Sequence, residues 1–313
     1  MSTNIKRAGI LFGTVSGVSY GFYGIFSSLL LEAGVTDLSI VVLPALALTV
    51  FFGLKVLFKP RVLREIPWKY ILVMLLQGFF ISNGMNYCYT QAYASGMPVG
   101  VVAIVAFCNV IVVMILSYFI FKYRFTIPKI SAIVMALVGV SLVIGLFNGS
   151  AGVFTTMGLI WTGLIPIFYG VNVVMNTYFI VKECDSDAIL FITQGGALLF
   201  MLIFMVHPVA LCQNIFASIS GSPLYWFAFL GFCLIPHALT YATMQESLKR
   251  VEPTIYQILM ALDPVTALVL GIIVFSQTVS ITQIIGVIIV LAAVLFINYV
   301  EGKEAAVATT AEE

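Results

Sequence analysis

Ten hydrophobic segments divide the chain, and this pattern constrains the fold more than any other feature of the sequence. Each is about 20 residues long, enough for a helix to cross a hydrocarbon core roughly 30 Å thick. Backbone polar groups in lipid must be satisfied within the spanning structure, so apolar segments of this length are expected to be helical. The segments cover residues 9–31, 38–58, 70–92, 98–121, 129–147, 157–181, 187–206, 224–247, 252–275 and 281–300. We therefore predict an all-α integral membrane protein with ten transmembrane helices.

The positive charges give this prediction an orientation. All 14 Lys and Arg residues can be placed on one side of the membrane. They lie before the first segment, in or beside the even-numbered connections, and in the C-terminal tail, whereas the odd-numbered connections contain none. Because Lys and Arg are retained on the cytoplasmic side, we predict that both termini are cytoplasmic. A bacterial inner membrane is the predicted location.

The composition excludes several classes of protein. With 62% hydrophobic and 9% charged residues, the chain is too apolar for an ordinary soluble surface. A net charge of +1 gives no basic surface for nucleic acid. The 5 cysteines are scattered and form no CxxC pair, so neither a disulfide framework nor a metal site is predicted. We predict no cofactor.

The two halves of the sequence resemble each other weakly. Tyr20-Gly21 corresponds to Tyr169-Gly170, and residues 92–98 align with residues 247–253. We therefore predict two five-helix repeats, covering residues 8–147 and 157–300, followed by a disordered cytoplasmic tail at 301–313. An odd number of helices in each repeat requires the second to be inverted in the membrane. Inverted repeats are typical of alternating-access carriers.

With ten predicted spans in two five-helix halves, the chain resembles the EamA-type drug/metabolite transporter superfamily over about residues 8–299. The resemblance is clearest in RVEPTIYQILMALDPVTALVLG at 250–271 and ITQIIG at 281–286. It implies a ten-helix carrier with a central cavity and peripheral fifth and tenth helices. Asn109 stands where the family usually has a proline, and the glutamate common after the fourth helix of the repeat is missing. No gating role is therefore transferred from that glutamate.

Two residues that can carry a charge near neutral pH lie deep within the predicted spans, away from the span ends. Asp263 is near the middle of the ninth, followed by Pro264, and His237 is near the centre of the eighth, preceded by Pro236. Because burying a charge in lipid is costly, such residues are candidates for function. A protonated structural Asp and a hydrogen-bonded structural His are the alternatives. We predict that Asp263, with or without His237, binds substrate or carries a coupling proton.

Neutral polar and aromatic residues extend this candidate site. Individually, each is as well explained by helix–helix hydrogen bonding. Collectively they favour the inner helices, which suggests a polar cavity. The remaining candidates for substrate binding or coupling are Tyr20, Tyr23, Asn83, Tyr87, Asn109, Tyr169, Asn172, Asn176, Gln194, Tyr241 and Tyr256.

Two further patterns concern packing. Gly9, Gly13, Gly17 and Gly21 recur at every fourth residue, which predicts close approach of another helix, with a gating hinge as the alternative. Glu246 and Glu252 lie close in sequence to Lys249 and Arg250, so we predict ion pairs at the cytoplasmic boundary.

The predicted function is secondary active transport of a small polar metabolite, such as an amino acid or amine. Export is the favoured direction and protons are a candidate coupling ion. A nucleotide-sugar carrier is an alternative within the superfamily. The absence of Lys and Arg from the interior of the spans, away from their ends, argues against anionic substrates. A channel or an intramembrane enzyme is the alternative from another class. GVSYG at 17–21 fits a serine-hydrolase motif, but it lies within an apolar helix, and we predict no enzymatic activity.

The predicted partners are the substrate and the lipid bilayer, with a homodimer as a candidate assembly.

Overall fold

The structure, a computed structural model, describes residues 3–97, 99–144, 155–204, 208–275 and 280–310. These residues form helices and short connections, with no strand among them. The helices of the first half are α1 Thr3–Tyr20, α2 Tyr23–Glu32, α3 Asp37–Leu57, α4 Arg61–Glu65, α5 Trp68–Leu76, a π-helical segment Gln77–Ser82, α6 Asn83–Ala94, α7 Val99–Phe107, α8 Asn109–Phe121 and α9 Ile127–Val143.

The second half has a similar order of elements. Its helices are α10 Thr156–Val181, α11 Ser186–Phe204, α12 Pro208–Ile219, α13 Pro223–Cys233, a second π-helical segment Leu234–Leu239, α14 Thr240–Leu248, α15 Pro253–Leu259, α16 Leu262–Phe275 and α17 Ile281–Thr310. Side-chain caps and prolines set several of these starts. Thr155 Oγ1, for example, accepts the Gly158 amide at 3.1 Å, and Pro253 occupies the first turn of α15.

Eight helical stretches in the described ranges are long and apolar enough to cross a membrane. They correspond to the predicted first to third and sixth to tenth segments, which confirms an all-helical membrane protein. The fourth and fifth predicted segments contain the shorter apolar helices Val105–Phe121 and Ile127–Val143. The fourth is interrupted at Cys108 between α7 and α8, and the end of the fifth lies outside the described residues.

The amphipathic helix α12 lies where the sequence analysis predicts only a connection. It buries Leu211, Ile215 and Ile219, which are spaced by four residues, and exposes Val209 and Phe216. Asn214 ties it to the first half, because its Oδ1 accepts the Thr36 backbone amide at 3.1 Å. Its short length and interrupted apolar face explain why hydropathy alone does not reveal it.

Each half carries one π-helical segment in its third predicted span. The two segments have the same length, and the same number of residues along the chain separates their starts, their ends and the polar residues that follow them. Asn83 Nδ2 donates to the carbonyl oxygen of Gly78 at 3.1 Å, and Thr240 Oγ1 donates to that of Ile235 at 3.3 Å. In both cases the side chain reaches the carbonyl five residues earlier. A π-turn within an α-helix is frequently found at a functional site.

Helices from one half pack mainly against helices from the other. α1 pairs with α14, α10 with α6, α3 with α11, and α9 with α17. The glycine stripe of α1 faces residues 247–266, from the end of α14 to α16, which agrees with the packing interpretation. A Cβ atom at Gly9 or Gly13 would collide with residues 247–259, and one at Gly21 would collide with Thr266 and the Asp263 carbonyl oxygen. Gly21 thus brings the end of α1 against the start of α16.

Ion pairs join the helix ends at the boundary predicted to be cytoplasmic. Glu246 pairs with Lys249 at 2.6 Å and with Arg250 at 2.5 Å, as the sequence predicts. Glu252 reaches across to the other half, where its carboxylate lies 2.6 Å from Lys129 Nζ. A second pair between the halves joins Lys55 and Asp187 at 2.5 Å.

The last helix extends beyond the last predicted span. α17 continues through Glu301 and ends at Thr310. The residues after the span include Glu, Lys and several Ala, all of which have high helix propensity, and no Pro interrupts the ladder. The last helix can therefore extend beyond its apolar part.

Candidate functional site

Asp263 lies where a helix is interrupted. α15 ends at Leu259, the chain turns at Met260 and Ala261, and α16 begins at Leu262. The Asp263 amide donates to the Met260 carbonyl oxygen at 3.0 Å, which closes the turn. The carboxyl group is thereby held in the first turn of α16, where the helix dipole favours a negative charge. Within the described part of the chain, no side chain or backbone group hydrogen-bonds or ion-pairs with this carboxyl group.

Tyrosines from three other helical elements lie near Asp263. Tyr20 of α1, Tyr169 of α10 and Tyr256 of α15 lie close enough to the Asp263 carboxyl for electrostatic interaction. Tyr241 of α14 interacts in the same way with all three tyrosines. The structure therefore brings together five predicted site residues from both halves. We call Tyr20, Tyr169, Tyr241, Tyr256 and Asp263 the tyrosine–aspartate cluster.

Ser16 fixes one side of this cluster. Its Oγ lies 3.0 Å from the carbonyl oxygen of Thr240 and 3.0 Å from the Tyr256 hydroxyl. A serine has one hydroxyl proton, and a carbonyl can only accept, so Ser16 donates to Thr240 and Tyr256 donates to Ser16. Both Ser16 and Tyr256 are fully buried. The direction of these bonds determines which way the Tyr256 hydroxyl points.

His237 lies beside the cluster in the second π-helical segment. Its ring meets Phe232 at 4.7 Å and Tyr23 at 5.8 Å between centroids, both edge to face. Tyr23 in turn stacks on Tyr20 at 5.9 Å. Neither imidazole nitrogen has a hydrogen-bond partner among the described residues, although the side chain is buried. The alternative given by the sequence was a structural histidine with satisfied hydrogen bonds. Such bonds to His237 are not found among the described residues.

A second polar group lies along the same face of α10. Asn172 is one helical turn beyond Tyr169, and Asn176 is one turn further. Asn172 Nδ2 donates to Ser82 Oγ at 2.8 Å, and Asn176 Nδ2 donates to Asn172 Oδ1 at 2.9 Å. Gln77 Nε2 donates to the Asn172 carbonyl oxygen at 3.3 Å. We call Gln77, Ser82, Asn172 and Asn176 the amide cluster.

The other predicted residues occupy separate positions. Asn83 is buried, and its Nδ2 bonds to carbonyl oxygens of the π-helical segment and to that of Ala197 at 3.2 Å, so its amide braces the helices. Asn109 is buried at the start of α8, and Gln194 is buried on α11. Tyr87 is 46% exposed and packs edge to face on Trp161 at 5.5 Å. These contacts do not include either cluster.

Three contributing residues were not among the predicted site residues: Ser16, Gln77 and Ser82. Ser16 shares a helical face with Tyr20 and Tyr23, so its position was visible from spacing. Gln77 is a lone amide in an apolar run, which by itself indicates only helix–helix hydrogen bonding. Its place in a π-turn could not be read from hydropathy.

Three comparisons with known proteins bear on this arrangement. The model of the EamA-like transporter family matches residues 7–145 and again residues 156–299. An "Uncharacterized transporter YxxF" of Bacillus subtilis (strain 168) is 22% identical over 296 residues, covering 93% of this chain and 90% of that protein. A solved structure described as "Crystal structure of protein" superposes with a TM-score of 0.73 at 15% identity and covers 95% of this chain and 98% of its own.

The solved structure is a likeness of fold alone, since its sequence is so distant. The family model, by contrast, matches nearly the whole chain in two parts that meet near its middle. The helical spans, the two similarly ordered halves and this match agree with one another. The chain is a membrane protein that belongs to the EamA-like transporter family.

Proposed function

We propose that this chain is a secondary carrier of a small cationic or zwitterionic metabolite, such as an amino acid or amine, with Asp263 as the group that binds it. The observation that carries the proposal is the Asp263 carboxyl at an interrupted helix, without a partner in the described ranges and beside Tyr20, Tyr169 and Tyr256. On membrane-insertion scales, a charged Asp at the centre of a span costs about 2.5–3.5 kcal/mol. A substrate ammonium group or a proton offsets that cost.

The surrounding rings suit the same ligand. Tyrosine faces attract cations, and tyrosine hydroxyls accept hydrogen bonds from an ammonium group. His237, with both ring nitrogens free of described partners, offers a second proton-binding position next to Tyr23. Asp263 and His237 are therefore the groups through which a proton could couple to transport. Among the described residues, Lys and Arg lie in the connections and near helix ends, which disfavours a phosphate-bearing nucleotide-sugar substrate.

Transport by alternating access requires two halves that can rock against each other. We propose ten spans, with α7–α8 and α9 completing the eight longer ones, arranged as two inverted repeats at 8–147 and 157–300. The exchange of partners between halves supports this, since α1 packs on α14 as α10 packs on α6. The charge pattern supports cytoplasmic termini. We propose export across a bacterial inner membrane as the direction of transport.

The test compares metabolites inside and outside cells that express the wild type, Asp263→Asn, Asp263→Glu or Asp37→Asn. Asp37 is the matched control because it lies in the first turn of α3, away from the cluster. We expect Asp263→Asn to lower transport at least about tenfold, because an amide cannot neutralise an ammonium group. Wild-type redistribution of metabolites by Asp263→Asn, with equal protein in the membrane, would refute the proposal.

Counterflow separates the carrier from a channel. Vesicles preloaded with the identified substrate should accelerate uptake of labelled substrate through the wild type. A channel passes net flux without such exchange. An unaltered substrate recovered after transport is the expected result, and a chemically changed one would favour the intramembrane enzyme.

A further inference from the structure

The amide cluster contains buried oxygens whose orientation is determined by the bonds around them. Gln77 Nε2 and Asn176 Nδ2 both donate to the carbonyl oxygen of Asn172, at 3.3 Å and 2.9 Å. A backbone carbonyl can only accept, so neither amide group can be turned over without placing oxygen against oxygen. Gln77 Oε1 and Asn176 Oδ1 must therefore face away from that carbonyl.

Both of these oxygens are without a hydrogen-bond partner among the described residues. The residues are almost completely inaccessible: Gln77 is 1% exposed and Asn176 is 2% exposed. A buried acceptor with no donor costs about 1–3 kcal/mol, so two such oxygens, on amide groups that bind the same carbonyl, require an explanation. An occupant that satisfies these two oxygens must supply positive charge or hydrogen-bond donors.

Two further oxygens adjoin them. Asn172 Oδ1 accepts from Asn176, and Ser82 Oγ accepts from Asn172 at 2.8 Å, and each retains a lone pair. The cluster thus offers four neutral oxygens and no carboxylate. Divalent cations are normally held by carboxylates, whereas neutral amide and hydroxyl oxygens suit a monovalent cation. Because the cluster supplies only four oxygen ligands, it favours a small ion over one that needs a larger coordination shell.

We propose that Gln77, Ser82, Asn172 and Asn176 form a binding site for Na⁺. The π-helical segment is part of the reason, since it carries Gln77 and Ser82 at its two ends on a face toward α10. Irregular helical segments at the midplane are where carriers coordinate Na⁺. The site lies one turn along α10 from Tyr169, so it adjoins the tyrosine–aspartate cluster without sharing its residues.

A role for Na⁺ in coupling rests on the proposed carrier function, whereas its binding does not. Na⁺ would hold the third span of the first half against the first span of the second half. Asp263 would then be left free for the substrate. Binding of the ion and of the substrate would favour each other if both stabilise the same arrangement of the halves.

The experiment measures thermal unfolding of the purified full-length chain in lipid nanodiscs, in NaCl, KCl, ammonium chloride or choline chloride at equal ionic strength. A ligand that binds only the folded state raises the Tm in a saturable way. For NaCl we expect a rise of roughly 2–4 °C over choline chloride. Equal Tm values in NaCl and choline chloride would overturn the proposal and leave water as the occupant. A rise with ammonium alone would overturn it too, in favour of a substrate ammonium site.

Variants assign any response to these residues. Gln77→Leu should abolish the Na⁺ shift, and Ser82→Ala, which removes a single ligand, should weaken the apparent affinity about tenfold. Gln245→Leu is the matched control, because Gln245 is an equally buried glutamine in the third span of the other half. An unchanged shift in both Gln77→Leu and Ser82→Ala contradicts the site. If Gln77→Leu does not fold, Ser82→Ala decides alone.

The Asp263→Asn variant keeps the two proposals separate. It should retain the full Na⁺ shift while losing transport. Loss of the Na⁺ shift in Asp263→Asn would place the ion at Asp263 and overturn the amide cluster as its site. Retained transport with a retained shift would instead refute only the role of Asp263.

Discussion

Gly139 of α9 and Gly286 of α17 each occupy the point where the other helix comes closest. A Cβ atom on Gly286 would lie 2.7 Å from the Gly139 carbonyl oxygen, and one on Gly139 would lie 3.1 Å from the Gly286 carbonyl oxygen. The contact is reciprocal and made by backbone, so the two helices approach as closely as their main chains permit. It joins the last helix of one half to the last helix of the other.

Gly286→Ala is therefore expected to destabilise the protein. The new Cβ would lie 2.6 Å from the Val143 backbone nitrogen, which cannot move aside as a side chain can. We expect a loss of about 1–3 kcal/mol from overpacking, which exceeds the gain in helix propensity of about 1 kcal/mol. Thermal unfolding in detergent measures it. Gly163→Ala on α10 is the control, since nothing lies within 4 Å of its Cβ position, and it should be neutral or stabilising.

Removing Lys129 should destabilise more than removing Lys249. Lys129 is only 7% exposed in its side chain and pairs with Glu252, whereas Lys249 is 39% exposed and pairs with Glu246. Lys129→Met removes the cation that pairs with a partly buried carboxylate, at a cost on the order of 2 kcal/mol. The exposed pair contributes about 0.5 kcal/mol or less. The double variant Lys129→Met/Glu252→Gln should recover part of the loss; equal stability of Lys129→Met and Lys249→Met would contradict the pairing.

Ser16→Ala should cost more than Tyr256→Phe, although both remove one hydroxyl of the same pair. Tyr256→Phe deletes a donor and leaves Ser16 bonded to the Thr240 carbonyl oxygen, at a cost of about 1 kcal/mol. Ser16→Ala leaves the buried Tyr256 hydroxyl without its acceptor, at about 1–3 kcal/mol, whereas the Thr240 carbonyl oxygen still accepts from Thr243 Oγ1 at 3.1 Å. Chemical unfolding of both variants and the double variant measures the coupling. The exposed Tyr87→Phe should change little, and the reverse order for the pair would mean that the donor assignment is wrong.

Cysteine labelling tests the proposed orientation. Cys184 lies in the connection between α10 and α11, and the exposed Cys212 lies on α12, in a connection without Lys or Arg. In variants that retain one of the two, with the remaining cysteines replaced by serine, a membrane-impermeant maleimide added to intact cells should label Cys212 and spare Cys184. Labelling of Cys184 in intact cells would contradict cytoplasmic termini.

After permeabilisation, Cys184 should react in a pH-dependent way. Burial raises the pKa of the Cys184 thiol above its usual value. The thiolate is the reactive form, so its labelling rate should keep rising with pH beyond the point where an unperturbed thiol has levelled off. A free cysteine-containing peptide serves as the reference for that curve.

Hydropathy predicted most of the helical architecture, because a lipid environment leaves a sequence few alternatives. Members of the tyrosine–aspartate cluster could also be identified from the sequence, since Tyr20, Tyr169 and Asp263 are polar residues in apolar spans. Only half of the amide cluster could be identified in this way. Asn172 and Asn176 share a helical face by ordinary spacing, whereas Gln77 and Ser82 come together through a π-turn that no hydrophobic period encodes.

The π-helical segments also limit how faces can be assigned from spacing. One extra residue in a turn rotates everything after it by about 100° relative to an uninterrupted α-helix. His237 lies inside such a segment, so regular helical spacing along the eighth span does not identify its neighbours. Its real neighbours, Phe232 and Tyr23, follow from the packing of α13 and α2.

The two π-turns begin at Gln77 and Leu234, in the same helix of each half, and each is followed by a polar side chain that bonds five residues back. The irregularity therefore lies at the corresponding place in both parts of the chain that the family model matches. One part holds its π-turn with the amide of Asn83, and the other holds its π-turn with the hydroxyl of Thr240.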